Sequence, residues 1–191
     1  GLNVPVLLNG ETGTGKSVTA RLIHRASPRQ DGPFFSLSCA AVAAGLAESE
    51  LFGYEPGAFT GAAGRKRGLL ELADGGTLLL DEVNSAGPEV QVRLLHFIQE
   101  RTLLRVGGVR PVPVDVRLIF ASNQPLEPLV QAGTFRQDLY FRIHVFPIPL
   151  PALRERREDI LPLAEGMLLR FARELEQPAR RFSPAAIEAL N

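Results

Sequence analysis

The stretch that most constrains the fold of this chain is Gly10-Glu11-Thr12-Gly13-Thr14-Gly15-Lys16-Ser17. It matches the phosphate-binding P-loop pattern, in which two glycines frame four residues and are followed by Lys and a hydroxyl residue. The apolar run Val4–Leu8 before it is typical of a buried strand, and the run Val18–Arg25 after it has apolar residues at helical spacing. The alternative is a flexible Gly/Thr loop before an ordinary helix. It is disfavoured because all eight positions are satisfied between a strand and a helix.

The residues of this loop have distinct chemical tasks. Glycines at 10, 13 and 15 allow backbone angles closed to other residues and let N–H groups approach phosphate oxygens. The helix predicted to begin near Lys16 directs its positive dipole end at the same anion. Lys16 would neutralise the β- and γ-phosphates, and the Ser17 hydroxyl would hold Mg²⁺.

The composition is that of a soluble globular protein. Hydrophobic residues make up 45% and charged residues 22% of the 191 positions, enough for a sizeable core. The 21 acidic and 21 basic residues cancel, so no overall positive charge indicates direct binding to nucleic acid.

The single cysteine, Cys39, fits a reducing cytosol, and no apolar run approaches the length of a membrane span. We expect a cytoplasmic protein without a membrane contact. Since the sequence starts almost inside a strand and stops inside a predicted helix, we also expect it to be part of a longer protein.

Apolar strands alternate with helical patterns over residues 1–150. The alternation favours an α/β fold, with a five-stranded parallel sheet flanked by helices on both faces. The runs predicted as strands are Val4–Leu8, Phe34–Ser38, Thr77–Leu80, Val114–Ala121 and Val145–Ile148.

Three other segments have their own patterns. Pro88 opens a strong helical pattern with an apolar face that includes Val90 and Leu94. Short apolar pieces flank Gly107-Gly108, which predicts a hairpin or an extended loop. From Pro151 onward the sequence is charged and helical with no further strand. We therefore predict an α/β nucleotide-binding subdomain at 1–150 and the start of a small helical subdomain at 151–191.

An acidic pair follows the third predicted strand, at Asp81-Glu82. A buried strand would fix both carboxylates at the carboxyl end of the sheet, beside the P-loop, where nucleotides bind in open α/β folds. We assign Asp81 to Mg²⁺ and Glu82 to the base that polarises the attacking water. A solvated turn gives the same letters, but the position after a P-loop in the same domain favours the catalytic interpretation.

Three further polar residues are candidates for contact with the γ-phosphate. Asn123 follows the fourth predicted strand, at a point between the ends of the first and third, although Asn there is equally typical of a plain turn. Arg136 and Arg142 could reach into the site of a neighbouring subunit and stabilise the phosphoryl group that is transferred there. For both arginines the alternative of a solvated helix face stays open. The sequence lacks an Asn-Lys-x-Asp guanine-reading motif, which disfavours a GTPase.

The hexapeptide Gly57-Ala58-Phe59-Thr60-Gly61-Ala62 follows Glu50-Leu51-Phe52-Gly53. It closely resembles the signature loop of bacterial enhancer-binding proteins, the NtrC-like AAA+ ATPases that activate the sigma-54 form of RNA polymerase. Several ordered motifs over one domain make this resemblance highly specific. The further matches lie at residues 73–77, 91–100, 135–142 and 153–160.

The resemblance implies a P-loop NTPase of the AAA+ class that binds ATP and Mg²⁺, hydrolyses ATP and assembles into a ring, usually a hexamer. Residues 57–62 would contact the sigma-54 RNA polymerase holoenzyme and couple hydrolysis to the opening of promoter DNA. Phe59 and Thr60 would offer an exposed aromatic ring and a hydroxyl between glycine hinges. The helical subdomain would be a truncated lid, and DNA contact would come only through a C-terminal domain that this sequence lacks.

The resemblance also assigns roles to residues already named. Asn123 matches the sensor of the γ-phosphate, and Arg136 and Arg142 match arginines at the subunit interface, with Arg142 the preferred finger. Gly107-Gly108 would lie in a second loop that moves with residues 57–62.

This sequence departs from the family pattern in three places. Ser17 stands where most relatives carry Glu, which restores the general P-loop form. Ser38 replaces an Asn that pairs with the catalytic glutamate as a switch, and its shorter hydroxyl could still hydrogen-bond Glu82 but reaches less far. The Trp-Pro-Gly-Asn-Val-Arg-Glu-Leu segment, which supplies a second sensor arginine in the lid, is absent.

Two other functions compete with that of a sigma-54-dependent activator. One is a regulator with a vestigial, non-hydrolysing or sigma-54-independent ATPase core, which the intact acidic pair and the intact loop at 57–62 disfavour. The other is an AAA+ remodeller of other proteins, which we would expect to carry an aromatic pore-loop motif instead of this hexapeptide.

Overall fold

The computed structural model describes residues 4–43, 45–178 and 181–190. Their strands are β1 (Val6–Asn9), β2 (Phe34–Ser38), β3 (Gly53–Tyr54), β4 (Lys66–Arg67), β5 (Thr77–Asp81), β6 (Thr102–Leu103), β7 (Val112–Pro113), β8 (Arg117–Ser122) and β9 (Phe146–Pro149). Their α-helices are α1 (Lys16–Arg25), α2 (Leu46–Phe52), α3 (Leu69–Leu72), α4 (Pro88–Glu100), α5 (Glu127–Gln131), α6 (Gln137–Ile143), α7 (Ile160–Glu174) and α8 (Pro184–Leu190). Short 3₁₀ turns span Val83–Ser85, Leu153–Glu155 and Arg157–Asp159.

A five-stranded sheet in the order β2-β5-β8-β1-β9 forms the centre of the larger unit, and all four strand pairs are parallel. The predicted α/β class and five-stranded parallel sheet are confirmed. Because β8 lies between β5 and β1, the carboxyl ends of these three strands meet at one edge. This is the edge to which the P-loop, the acidic pair and Asn123 are attached.

The sheet is covered on both faces because successive strand residues point to opposite sides. Leu7 and Leu78 belong to the larger core, which also contains buried residues of α2, α4 and α6. Leu8 and Leu79 belong to a smaller core with Ala20 of α1. All four leucines are at most 1% exposed, which explains why these strands are continuous apolar runs rather than alternating ones.

Several ends of the predicted strands are wrong by one residue, and two starts are wrong by two or three residues. The first strand begins at Val6, not Val4, and the fourth begins at Arg117, not Val114. Val114 is buried, but its N–H donates to Arg101 O, and the backbone of Asp115 bonds to Asp74 and Gly75. The apolar pattern therefore marks burial here, while the backbone hydrogen bonds lie outside the sheet.

The helices predicted after the P-loop and from Pro88 are present as α1 and α4. In α1, however, the apolar pair at helical spacing, Val18 and Leu22, faces outward, and Ala20 and His24 face the sheet. In α4 the buried face includes Val90 and Leu94, as the pattern predicts.

Two small antiparallel ribbons lie beside the main sheet. One pairs β3 with β4, around the loop at 57–62, and the other pairs β6 with β7, around Gly107-Gly108. The predicted hairpin at 102–112 is therefore confirmed. The ribbons meet where Tyr54 bridges Val106 in parallel, so the two loops share a base.

The chain divides into two compact units between Leu150 and Pro151. The second unit contains two 3₁₀ turns followed by α7 and α8. Within it, Glu155 Oε2 accepts a 3.0 Å hydrogen bond from the Ala152 N–H, which fixes the start of the first turn. That this unit is part of a lid stays a prediction. No helix in the described ranges is both long enough and apolar enough to cross a membrane.

Candidate active site

The P-loop between β1 and α1 has the conformation of an anion cradle. Gly13 and Gly15 have φ of +89° and +96°, the left-handed region that side chains disfavour. A Cβ added at Gly10 would lie 2.5 Å from the carbonyl oxygen of Leu150, so only glycine fits at the start of the loop. The Lys16 ammonium donates to the carbonyl oxygens of Gly10 and Glu11 at 2.7 and 2.9 Å, inside the loop where a phosphate would compete for it.

Ser17 and Asp81 lie side by side although 64 positions separate them. The Ser17 hydroxyl donates to Asp81 Oδ2 at 3.2 Å, and the N–H of Glu82 donates to Asp81 Oδ1 at 2.9 Å. A hydroxyl and a carboxylate oxygen next to a phosphate cradle form the hard donor set that Mg²⁺ prefers, with its other positions left to water and phosphate. These residues fit the predicted cation.

Glu82 is held by residues from the two strands that flank β5. It has φ of +51°, a left-handed backbone that lies just after the end of β5. The Ser38 hydroxyl, at the end of β2, donates to Glu82 Oε2 at 2.6 Å. The Asn123 amide, just after β8, approaches Glu82 Oε1 at 3.5 Å. The structure thus brings Asn123 to the predicted base, and Ser38 reaches the glutamate despite its short side chain.

Ser122, which the sequence reasoning missed, ties this edge together. It is fully buried, and its hydroxyl donates to Gln124 O at 2.6 Å and lies 3.1 Å from Asn84 Oδ1. Asn84 belongs to the 3₁₀ turn after Glu82. The link therefore connects the turn after the acidic pair to the strand end that carries Asn123. The signal in the sequence was a serine directly after the apolar run Val114–Ala121.

Burial and the neighbouring carboxylates suppress the acidity of Cys39. Cys39 follows β2 directly and is 6% exposed, and its backbone N–H donates to Asp81 O at 2.9 Å. Desolvation, followed by the negative charges of Asp81 and Glu82, raises the pKa of Cys39 to about 11. A raised pKa keeps the thiol protonated at neutral pH, which disfavours a role as a nucleophile.

The two candidate arginines are exposed and lie on or beside α6. The Arg136 guanidinium forms a fork on Asp138, with distances of 3.0 and 2.7 Å, which holds the pKa of Asp138 below its usual range. Arg142 lies in the last turn of α6, and no ion pair or hydrogen bond holds its guanidinium among the residues described. Within the described part of one chain, neither arginine contacts the P-loop or Glu82.

The loop at 57–62 forms a compact projection. Gly57 and Gly61 have φ of +80° and +98°, and the Gly57 N–H donates to Ala62 O at 2.9 Å, which closes the loop at its base. Phe59 is 43% exposed and packs edge-on against Tyr54, with ring centroids 4.9 Å apart. Thr60 is exposed. The aromatic ring and the hydroxyl are both available to a partner.

The base of this loop is fastened to the ribbon that carries Gly107. An added Cβ at Gly107 would lie 2.9 Å from Ala58 Cβ, so the two loops touch. Arg105, 6% exposed, binds Glu71 Oε2 through Nε and Nη2 at 3.1 and 2.8 Å, and Glu55 Oε1 through Nη1 at 2.7 Å. Glu55 precedes the loop at 57–62, so a buried ion-pair network joins both loops to α3.

A family model and individual relatives indicate the same protein family for this chain. Residues 1–149 match the model of the sigma-54 interaction domain. The chain is 54% identical over 189 residues to the Nif-specific regulatory protein of Rhizobium leguminosarum bv. trifolii, which covers 99% of this chain and 53% of that protein. It is 51% identical over 185 residues to the transcriptional regulatory protein ZraR of Salmonella typhimurium, and this match covers 97% of this chain and 42% of ZraR.

The fold is similar to a solved structure of NtrX from Brucella abortus in complex with ADP. The TM-score is 0.90 at 39% identity, and the match covers 98% of this chain and 41% of that one. An ATP complex of the same protein gives a TM-score of 0.88. The chain spans about half the length, or less, of the relatives named here. Because the family model covers residues 1–149, well over half of the chain, the chain belongs to the sigma-54 interaction domain family of AAA+ P-loop proteins.

Proposed function

We propose that this chain is the ATP-hydrolysing core of a sigma-54-dependent transcriptional activator. The observation that carries the proposal is the convergence of Ser17, Asp81, Glu82 and Asn123 on the P-loop edge of the sheet. The Brucella NtrX structures with ADP and ATP support a nucleotide as the ligand of this cradle. The site would bind ATP through the N–H groups of the P-loop and the start of α1.

The chemistry assigned to one subunit is the transfer of the γ-phosphoryl group to water. A water oxygen forms a bond to the γ-phosphorus, and the bond to the oxygen bridging the β- and γ-phosphates breaks. Glu82 takes the water proton, with Ser38 holding its other oxygen. Lys16 would move from the loop carbonyls to the phosphates. Asn123, which approaches Glu82, would also contact the γ-phosphate.

Ser17 and Asp81 would hold Mg²⁺, which when bound neutralises charge on the β- and γ-phosphate oxygens. Arg136 and Arg142 would act from the neighbouring subunit of a ring, which we propose to be a hexamer. Their exposure, and their lack of contact with the P-loop in the described part of one chain, support an action in trans. Arg142 is the preferred finger because Asp138 already neutralises Arg136.

The partner of the loop at 57–62 would be sigma-54 in its RNA polymerase holoenzyme. The exposed ring of Phe59 and the exposed hydroxyl of Thr60 suit a protein surface, and the shared base with the Gly107 ribbon gives the loop a mechanical support. Binding of DNA would belong to other parts of the full-length protein. A partner that works on bacterial promoters requires a cytoplasmic location.

The experiment that tests this function separates hydrolysis from coupling in the full-length protein. Thr60→Ala removes a hydroxyl from the exposed loop, so ATP turnover is expected to persist while capture of sigma-54 in the presence of a transition-state analogue is lost. Thr60→Ser keeps the hydroxyl and serves as the control. If the Thr60→Ala variant still captures sigma-54, the Thr60 hydroxyl is not needed for the contact that would couple ATP hydrolysis to sigma-54. Wild-type protein that binds ATP without hydrolysing it would instead favour a vestigial core.

A further inference from the structure

Gln91 is a fully satisfied buried amide in a helix face that is otherwise apolar. Its side chain lies between Val90 and Leu94 on the buried face of α4, and the residue is 2% exposed. Both protons of its Nε2 are used, one to Ala86 O at 2.8 Å and one to Thr134 O at 3.1 Å. Its Oε1 accepts the Arg136 N–H at 2.8 Å. These three bonds permit only one orientation of the amide.

The first partner of Gln91 belongs to the catalytic turn. The 3₁₀ turn Val83–Ser85 follows Glu82 directly, and the Ser85 N–H donates to Glu82 O at 2.9 Å. Ala86 ends this turn, and its own N–H donates to Val83 O at 3.0 Å. The bond from Gln91 to Ala86 O therefore fixes the segment that holds the base of this subunit.

The other two partners belong to the segment that carries the interface arginines. Thr134 and Arg136 lie on either side of Phe135, which is 2% exposed in the core. The amide of Gln91 pairs with the carbonyl of one and the N–H of the other, as a neighbouring peptide would in a sheet. Arg136 is also the N-cap residue of α6, and Arg142 lies near the far end of that helix.

We propose that Gln91 is a positioning residue that sets the interface arginines of a subunit against that subunit's own catalytic turn. The proposal rests on the proposed function, in which Arg136 and Arg142 complete the site of a neighbour. One buried amide then links the base that a subunit uses with the arginines that it lends. Changes at Glu82 would reach the adjacent site through this link.

Only an amide of this length satisfies all three partners. An apolar side chain such as Met would take the Gln91 bond from two carbonyls and one N–H, and would leave the carbonyl of Ala86 without this buried bond. Glu has the same shape, but its ionised carboxylate cannot donate to Ala86 O or Thr134 O. Both substitutions therefore break the link with little change in volume.

The test uses the full-length protein with Gln91→Glu and Gln91→Met. Gln99→Glu and Gln99→Met are matched controls, because Gln99 lies on the exposed face of the same helix. We expect both Gln91 variants to bind ATP within about twofold of wild type, while turnover falls roughly tenfold to a hundredfold. The Gln99 variants are expected to match wild type in both measurements.

A mixture of two impaired variants identifies the site that Gln91 serves. Glu82→Gln subunits lack a base but carry correctly placed arginines. Gln91→Glu subunits keep Glu82 as the base, but their arginines are misplaced. In rings assembled from equal amounts, about a quarter of the interfaces join an intact base to intact arginines. Turnover of the mixture should therefore exceed the sum of the separate variants. An Arg142→Ala plus Glu82→Gln mixture is the positive control.

Each outcome bears on a different claim. Recovery in both mixtures supports the role of Gln91 toward the neighbour. Recovery in the arginine control alone overturns that role and leaves the shared site intact. If neither mixture recovers, the shared site of the proposed function is wrong, and the inference falls with it. ATP affinity lost in parallel with turnover, in both Gln91 variants, also overturns the inference, because it indicates a general effect on folding.

Discussion

The Ser38 hydroxyl donates a 2.6 Å hydrogen bond to Glu82 Oε2, across the paired ends of β2 and β5. The same hydroxyl accepts the Ala41 N–H at 3.2 Å, so its direction is fixed by the turn that follows β2. Asn123 approaches the other oxygen of Glu82 only at 3.5 Å. Ser38 is therefore the main restraint on the orientation of the proposed base.

Ser38→Ala should lower kcat for ATP by about tenfold with little change in KM, because a hydrogen bond to a charged group that orients the base is lost. Ser38→Thr keeps the hydroxyl and should retain turnover. Steady-state ATP hydrolysis by the full-length variants measures both. A wild-type kcat for Ser38→Ala would show that this contact does not orient Glu82.

Ser17→Ala should raise the Mg²⁺ concentration needed for half-maximal turnover, because one of two adjacent oxygen donors is removed. Ser17→Thr retains the hydroxyl and should follow the wild-type curve. Removal of Mg²⁺ by a chelator should abolish turnover in all three proteins. A Ser17→Ala curve that coincides with wild type would exclude this hydroxyl as a ligand.

Arg105→Met should lower the thermal stability of the domain and weaken capture of sigma-54, because it leaves Glu71 and Glu55 without their buried partner. Glu71 keeps its 2.9 Å ion pair with Arg67, so the loss of stability should stay below the roughly 3 kcal/mol that an unpaired buried charge costs. Lys66→Met breaks the more exposed pair with Glu50 and is the control, with little change expected in stability. Calorimetry and sigma-54 capture report on the two effects. Equal effects of both variants would contradict a special role for Arg105.

Cys39 should react with a thiol reagent roughly a hundredfold more slowly at pH 8 than an ordinary cysteine, because its raised pKa leaves little thiolate. As the pH is raised toward the pKa of about 11, the rate should increase about tenfold for each pH unit, as long as the protein stays folded. Mass spectrometry of the peptide that contains Cys39 gives the rate, and unfolding in denaturant should restore ordinary reactivity. Rapid labelling of the native protein at pH 8 would contradict the burial.

The sequence was sufficient for the parts of the site that follow from local pattern. The P-loop, the acidic pair and the five strands each have a signature in a short window, and the parallel sheet follows from their alternation with helices. The position of β8 between β5 and β1, which brings Asn123 to Glu82, also agrees with the expectation.

The parts that escaped prediction depend on contacts between distant segments. Gln91 has an ordinary place in a helical pattern, and its partners at 86, 134 and 136 become visible only in three dimensions. Arg105 likewise gives no local sign that it binds Glu55 and Glu71. The outward direction of Val18 and Leu22 shows that helical spacing predicts a helix but not which face is buried.

The most direct measurement is ATP binding and ATP turnover of full-length Glu82→Gln, made on the same preparation. This substitution keeps the shape of the side chain and removes the carboxylate that would take the water proton. We expect an ATP affinity close to wild type, with turnover reduced by about 10²-fold or more. Turnover at the wild-type rate would contradict the assignment of the base and, with it, the hydrolytic function proposed for this chain.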